Sequence, residues 1–129
     1  MSGELRELAE RLSKYGVRLV VLFGSRARGD YTDGSDVDVL VVADELPDDP
    51  REAYDVVRRL VSPRVHPVCL RTEAFVRRLE GESTFLMEVL EDGVIVYADR
   101  GFLEEVLHRY REVRRRWVRK GRTWERLVE

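Results

Sequence analysis

A chain of 129 residues is the size of one domain and can bury a core without covalent staples. A single cysteine, Cys69, excludes an internal disulfide framework, and no apolar run reaches membrane-spanning length, so the expectation is a cytoplasmic protein with no membrane segment and no targeting segment at Met1 to Glu7. The net charge is −2, yet residues 109–129 hold nine basic and three acidic side chains, which sets a basic tail of +6 on an acidic body of −8.

The chain has no Asn and no Gln, its cations are overwhelmingly Arg, and 37% of its residues are charged, a pattern that fits a thermophile avoiding heat-labile amides. Ser2 can cap a first helix in which Leu5, Leu8, Ala9 and Leu12 recur at helical spacing as far as Gly16. Val17 to Phe23 is an apolar, β-branched run that predicts a buried strand, broken by Gly24-Ser25 and a charged loop. A second strand resumes at Asp36-Val37-Asp38-Val39-Leu40-Val41-Val42-Ala43. Period-two alternation puts Asp36, Asp38, Leu40 and Val42 on one face, with the two acids at its mouth about 6.6 Å apart along the backbone.

Two carboxylates that close repel unless a cation lies between them. Oxygen ligands at this spacing suit Mg²⁺, which takes one or two carboxylates, keeps some waters and binds substrate phosphates. Gly24 lets backbone N–H groups approach an anion, and the Ser25 hydroxyl adds a donor. The same residues can also form an ordinary turn and a solvated rim. The loop is not a Walker A, since no Gly-Lys-Ser/Thr follows the glycine, and it lacks the first carboxylate of an EF-hand.

Gly24-Ser25, ten intervening residues and Asp36-Val37-Asp38 resemble the Gly-Ser/Asp-x-Asp motif of the DNA polymerase β nucleotidyltransferase superfamily. Leu22 to Asp30 and Ser35 to Asp38 are similar to the minimal nucleotidyltransferases, often paired with HEPN-domain proteins. The resemblance implies Asp36 and Asp38 as catalytic residues and ligands of two Mg²⁺ ions, and Gly24, Ser25, Arg26, Arg28 and Ser35 as nucleotide-binding residues. It further implies transfer of AMP from ATP to a hydroxyl of a partner protein, by the antitoxin of a HEPN toxin–antitoxin pair. A homodimer is compatible with it.

Asp48 or Asp49 can cap a helix begun by Pro50, with Ala53, Val56, Val57, Leu60 and Val61 inward. Val65 to Leu70 predicts a third strand, at an edge or with a bulge because Pro67 donates no N–H. Many active superfamily members carry a third metal-binding acid on such a strand, and this segment has none. His66 could stand in that place, and Glu73 is the nearest acid along the chain. Thr72 can open a short helix, Ser83 or Thr84 another that Gly93 stops, and Val94 to Tyr97 predicts a fourth strand. After Asp99, Leu103, Val106, Tyr110, Val113 and Trp117 step 3, 4, 3, 4, which predicts a last helix with a docking seam, opposite Arg109, Arg111, Arg115, Arg116 and Arg119.

This order predicts an α/β (α+β) fold, a small mixed β-sheet flanked by helices, of the polymerase-β-like nucleotidyltransferase kind. Residues 1–100 would be the nucleotidyltransferase domain, and residues 101–129 a basic helix and tail packed on it or on a partner. The competing readings are a non-catalytic partner-binding module, favoured by the missing acid, and a nucleic-acid module using the tail with Trp117 and Trp124 stacking. The acidic body disfavours nucleic acid.

Overall fold

The computed structural model describes residues 2–30, 32, 34 and 36–128. Helix α1 (Ser2–Arg11) runs into a 3₁₀ turn (Leu12–Tyr15) that ends at Gly16 in the left-handed region, φ 68°. Strand β1 (Val17–Phe23), the short helix α2 (Ser25–Arg28) and strand β2 (Val37–Ala43) follow. Helix α3 (Pro50–Arg58) starts at Asp49, whose carboxylate accepts the Arg51 amide at 2.9 Å, and leads to β3 (Val65–Arg71). Helices α4 (Thr72–Glu80) and α5 (Thr84–Asp92), strand β4 (Val94–Ala98), helix α6 (Arg100–Arg114) and strands β5 (Trp117–Lys120) and β6 (Thr123–Arg126) complete the order.

The main sheet has the order β3-β2-β1-β4, with β2 and β3 parallel and the other pairs antiparallel. Pro67 therefore lies on an edge strand, where a missing donor costs no ladder bond to a further neighbour. The alternation read in β2 sorts the two cores. Val37, Val39 and Val41 pack with Leu5, Leu8 and Leu12 of the first helical segment and Ala53 and Val57 of α3. Leu40 and Val42 pack on the other face with Phe75, Leu79, Leu86 and Met87. The mixed sheet is thus covered on both faces, as expected for strands whose runs are almost wholly apolar.

The end of the chain departs from the sequence expectation. The last helix stops at Arg114, and Trp117 lies on β5, which pairs with β6 in a hairpin whose two-residue loop is Gly121-Arg122. Gly121 has φ 63°, which a glycine at the first loop position adopts freely. The seam on α6 is Val106, Tyr110 and Val113, all buried against the second core. Trp117 is held differently: its Nε1 donates to Glu82 Oε1 at 2.9 Å. Arg116 and Arg126 reach the same oxygen at 3.2 and 3.3 Å. Glu82 itself has φ 64°, an unfavourable conformation for a non-glycine residue, held where three donors converge.

Candidate active site

The antiparallel register of β1 and β2 sets Phe23 opposite Asp38, so the chain leaving β1 turns directly beside the Asp38 carboxylate. Gly24 makes this turn with φ 74° and ψ −153°, and a Cβ on it would lie 2.5 Å from Asp38 Oδ2. Only a glycine fits between these strands. Its carbonyl accepts the amides of Ala27 and Arg28 at 3.1 Å, winding Ser25–Arg28 into one helical turn that Gly29 ends in the left-handed region. The segment expected as loop is therefore partly helical, with Ser25 at its start.

Gly24, Ser25, Arg28 and Asp38 line one cavity of about 330 Å³. Its other walls come from α5, with Phe85, Glu88, Val89 and Asp92, and from the hairpin loop, with Arg122. Arg28 Nε lies 3.4 Å from Asp30 Oδ2. Arg26 is half-buried on α2 and does not line this cavity. Asp36 is exposed just before β2, with Oδ1 3.3 Å from His66 Nε2. Ser35 lies outside the described residues.

His66 pairs in register with Asp38 across the parallel β2–β3 ladder, so it occupies the strand position considered for a third acid. Glu73 does not approach. The same register puts Ala43 beside Arg71, and at about 3.3 Å per residue Arg71 is already ~17 Å along the strand from His66. Glu73 follows it, beside Arg71 Nη2 at 3.8 Å and largely exposed. The acids that the tertiary structure brings to the cavity are Glu88 and Asp92, fifty or more positions from Asp38 in the chain. No spacing in the sequence announced them.

Asp92 accepts a bidentate pair of hydrogen bonds from Arg119, both 2.7 Å, and that guanidinium holds its carboxyl below the usual carboxylate range. Arg119 also approaches Glu88 at 3.7 Å, and Arg122 Nε lies 3.5 Å from the same carboxylate. The tail's positive charge is thus largely matched against the body: Arg114 against Glu91, Arg116 and Arg126 against Glu82, Arg119 and Arg122 against α5. Trp124 is engaged as well, with Arg114 and Arg119 4.8 and 5.3 Å from its ring centre.

The donor set fits Mg²⁺ in one particular way. Among the described residues no three His, Cys, Asp or Glu side chains are grouped to hold a metal. Asp38 on the cavity wall, with Asp36 outside that lining and two residues before it in the chain, suits an ion that completes its shell with water and substrate phosphate.

The sequence of residues 5–96 matches the nucleotidyltransferase domain family. This chain belongs to that family. A candidate protein adenylyltransferase from Methanocaldococcus jannaschii is 34% identical over 90 residues, covering 66% of this chain and 85% of the relative. A second candidate protein adenylyltransferase of that organism is 64% identical over 28 residues, 22% of this chain and 28% of its own. The fold is similar to a crystal structure of a candidate nucleotidyltransferase from Sulfolobus solfataricus, with a TM-score of 0.57 and 26% identity over 78% of this chain and 82% of that one. It is also similar to a toxin–antitoxin structure with AMP-PNP, with a TM-score of 0.53 and 20% identity over 88% and 90% of the two chains. In this nucleotidyltransferase the Gly-Ser turn thus stands beside the strand that carries Asp38, and the family's substrate is a nucleotide. No helix among the described residues is long and apolar enough to cross a membrane.

Proposed function

We propose that this nucleotidyltransferase moves AMP from ATP to a hydroxyl on a partner protein. The observation that carries the reading is the Asp38 carboxylate set against the Gly24-Ser25 turn at the mouth of a cavity walled by Arg28 and Arg122. Ser25 and the amides of the turn would take phosphate oxygens, and Arg28 would offset their charge. Asp36 and Asp38 would hold Mg²⁺, which when bound neutralises phosphate charge and favours the ionised acceptor. The acceptor oxygen bonds to the α-phosphorus, the bond from that phosphorus to the bridging oxygen of the β-phosphate breaks, pyrophosphate leaves with the electron pair, and the hydroxyl proton is lost to water.

The acceptor would be supplied by another chain. The likeness in fold to toxin–antitoxin structures and the motif resemblance favour a HEPN-domain protein, with this chain as the antitoxin. One of those structures contains a tri-AMPylated HEPN toxin of Shewanella oneidensis with an MNT antitoxin, at a TM-score of 0.51 and 18% identity.

A second reading, a partner-binding module without turnover, is favoured by His66 standing opposite Asp38 where a third acid would be expected. The two readings part in one experiment. With ATP, Mg²⁺ and the HEPN partner, mass spectrometry should find the partner heavier by one or more AMP units, and Asp38→Asn should abolish this while remaining folded. A partner of unchanged mass favours the inactive module, and an unchanged rate with Asp38→Asn removes the site assignment.

A further inference from the structure

Residues 115–128 lie beyond the stretch that matches the family, yet the structure folds them into a hairpin whose loop faces the Gly-Ser turn. We propose that this hairpin is part of the nucleotide site: Arg122 binds the outer phosphates of the triphosphate, while Arg119 neutralises Asp92 on the acidic wall of α5. The proposal rests on the nucleotide-transfer reading and adds a phosphate-binding residue to it.

The electrostatics of the cavity carry the inference. Asp38, Glu88 and Asp92 alone would give an anionic lining, which repels a triphosphate at close range. The hairpin offsets this, because Arg119 and Arg122 together with Arg28 match the three carboxylates. Arg119, mostly buried, saturates Asp92 in a bidentate pair and stands beside Glu88. Arg122 is different in kind, since its side chain is 69% exposed and its approach to Glu88, at 3.5 Å, is a weak and screened pairing. A loosely tethered guanidinium at the cavity wall can leave one carboxylate for a phosphate that offers stronger, bidentate acceptors.

The hairpin is also held firmly enough to present that side chain. Trp117 and Arg126 fix its two strands to Glu82, Arg119 fixes its turn to α5 and donates to the Gly121 carbonyl at 2.7 Å, and Trp124 packs against the second core. Gly121 needs its positive φ to close the loop, so Arg122 is placed by backbone geometry as well as by charge.

Calorimetry on the full chain in Mg²⁺ tests this with ATP, AMP and inorganic tripolyphosphate as probes. Arg122→Ala should weaken ATP and tripolyphosphate about tenfold, with AMP changed less than about twofold, and Arg122→Lys should recover part of the loss because it restores charge without the fork. Glu88→Gln should tighten ATP by releasing Arg122 and removing a repelling charge. Circular dichroism on each variant separates binding from folding. If wild-type and Arg122→Ala bind ATP equally, the hairpin proposal falls and the nucleotide reading stands. If the wild-type chain binds neither ATP nor tripolyphosphate, both fall.

Discussion

Gly24 and Asp38 are in contact across the end of the β1–β2 pair: the space a Cβ would need on Gly24 is filled by Asp38 Oδ2, 2.5 Å from its ideal position. The φ of 74° adds a second reason for glycine. Gly24→Ala should therefore displace the carboxylate and strain the turn, destabilising by about 1–2 kcal/mol. Misplacing a reacting group by about 1 Å can lower a rate about 100-fold. Transfer assays beside thermal melts check this, and a fully active, fully stable Gly24→Ala protein would contradict the geometry.

Metal and nucleotide should bind together. With no three-residue ligand group among the described residues, Mg²⁺ alone should bind weakly and ATP should strengthen it by supplying oxygens. Linkage requires Mg²⁺ to tighten ATP by the same factor. Titrations of each with and without the other measure the coupling, and tight Mg²⁺ binding without nucleotide would mean that a further protein ligand completes the site.

Acid should loosen the end of the sheet opposite the site. There Arg18 reaches Asp44 through Nε at 3.1 Å and Nη2 at 2.9 Å, and Asp99 through Nη1 at 2.8 Å, while Thr72 Oγ1 donates to Asp44 at 2.6 Å. The Arg18 guanidinium holds the Asp44 carboxyl below its ordinary range, and the Phe102 amide does the same for Asp99, the residue that caps α6. A depressed carboxyl contributes stability that is fully present above its unfolded pKa of about 4 and is lost as pH falls through the lower folded value. Unfolding free energy should thus be flat near neutrality and drop below about pH 4. Asp44→Ala should remove about 1 kcal/mol at pH 7, a value reduced because the side chain is a third exposed, and should make the acid limb shallower.

Gly93 joins α5 to β4 where no side chain fits. A Cβ would come within 2.3 Å of the Val89 carbonyl oxygen and 2.5 Å of Val21 Cγ1. One neighbour is backbone and the other is packed in the second core, so neither can give way cheaply. Gly93→Ala should cost about 3 kcal/mol in urea unfolding, and because α5 walls the cavity it should weaken ATP binding as well.

Local signals were enough for most of the framework. The apolar runs marked all four strands of the main sheet, Pro67 placed β3 at an edge, and Asp49, Ser83 and Asp99 cap the helices that follow them. Gly24, Ser25, Arg28 and Asp38 could be grouped from the sequence because a turn and two adjacent strands carry them, and short-range pairing brings such residues together in any register that buries both runs. The hairpin did leave a trace, since Gly121-Arg122 lies between two short stretches with strand-favouring residues, Trp117-Val118 and Thr123-Trp124. The trace was masked because Trp117 falls one heptad after Tyr110 and so continued the helical period. Which acids reach the cavity was another matter. Glu73 is near in sequence yet stands at the far end of a parallel ladder, whereas Glu88, Asp92 and Arg122 arrive from elements that pack across the sheet. Sequence periodicity determines which face of an element is buried, but only the packing of those faces decides which distant charges share a cavity, because that proximity is set by tertiary geometry and not by spacing along the chain.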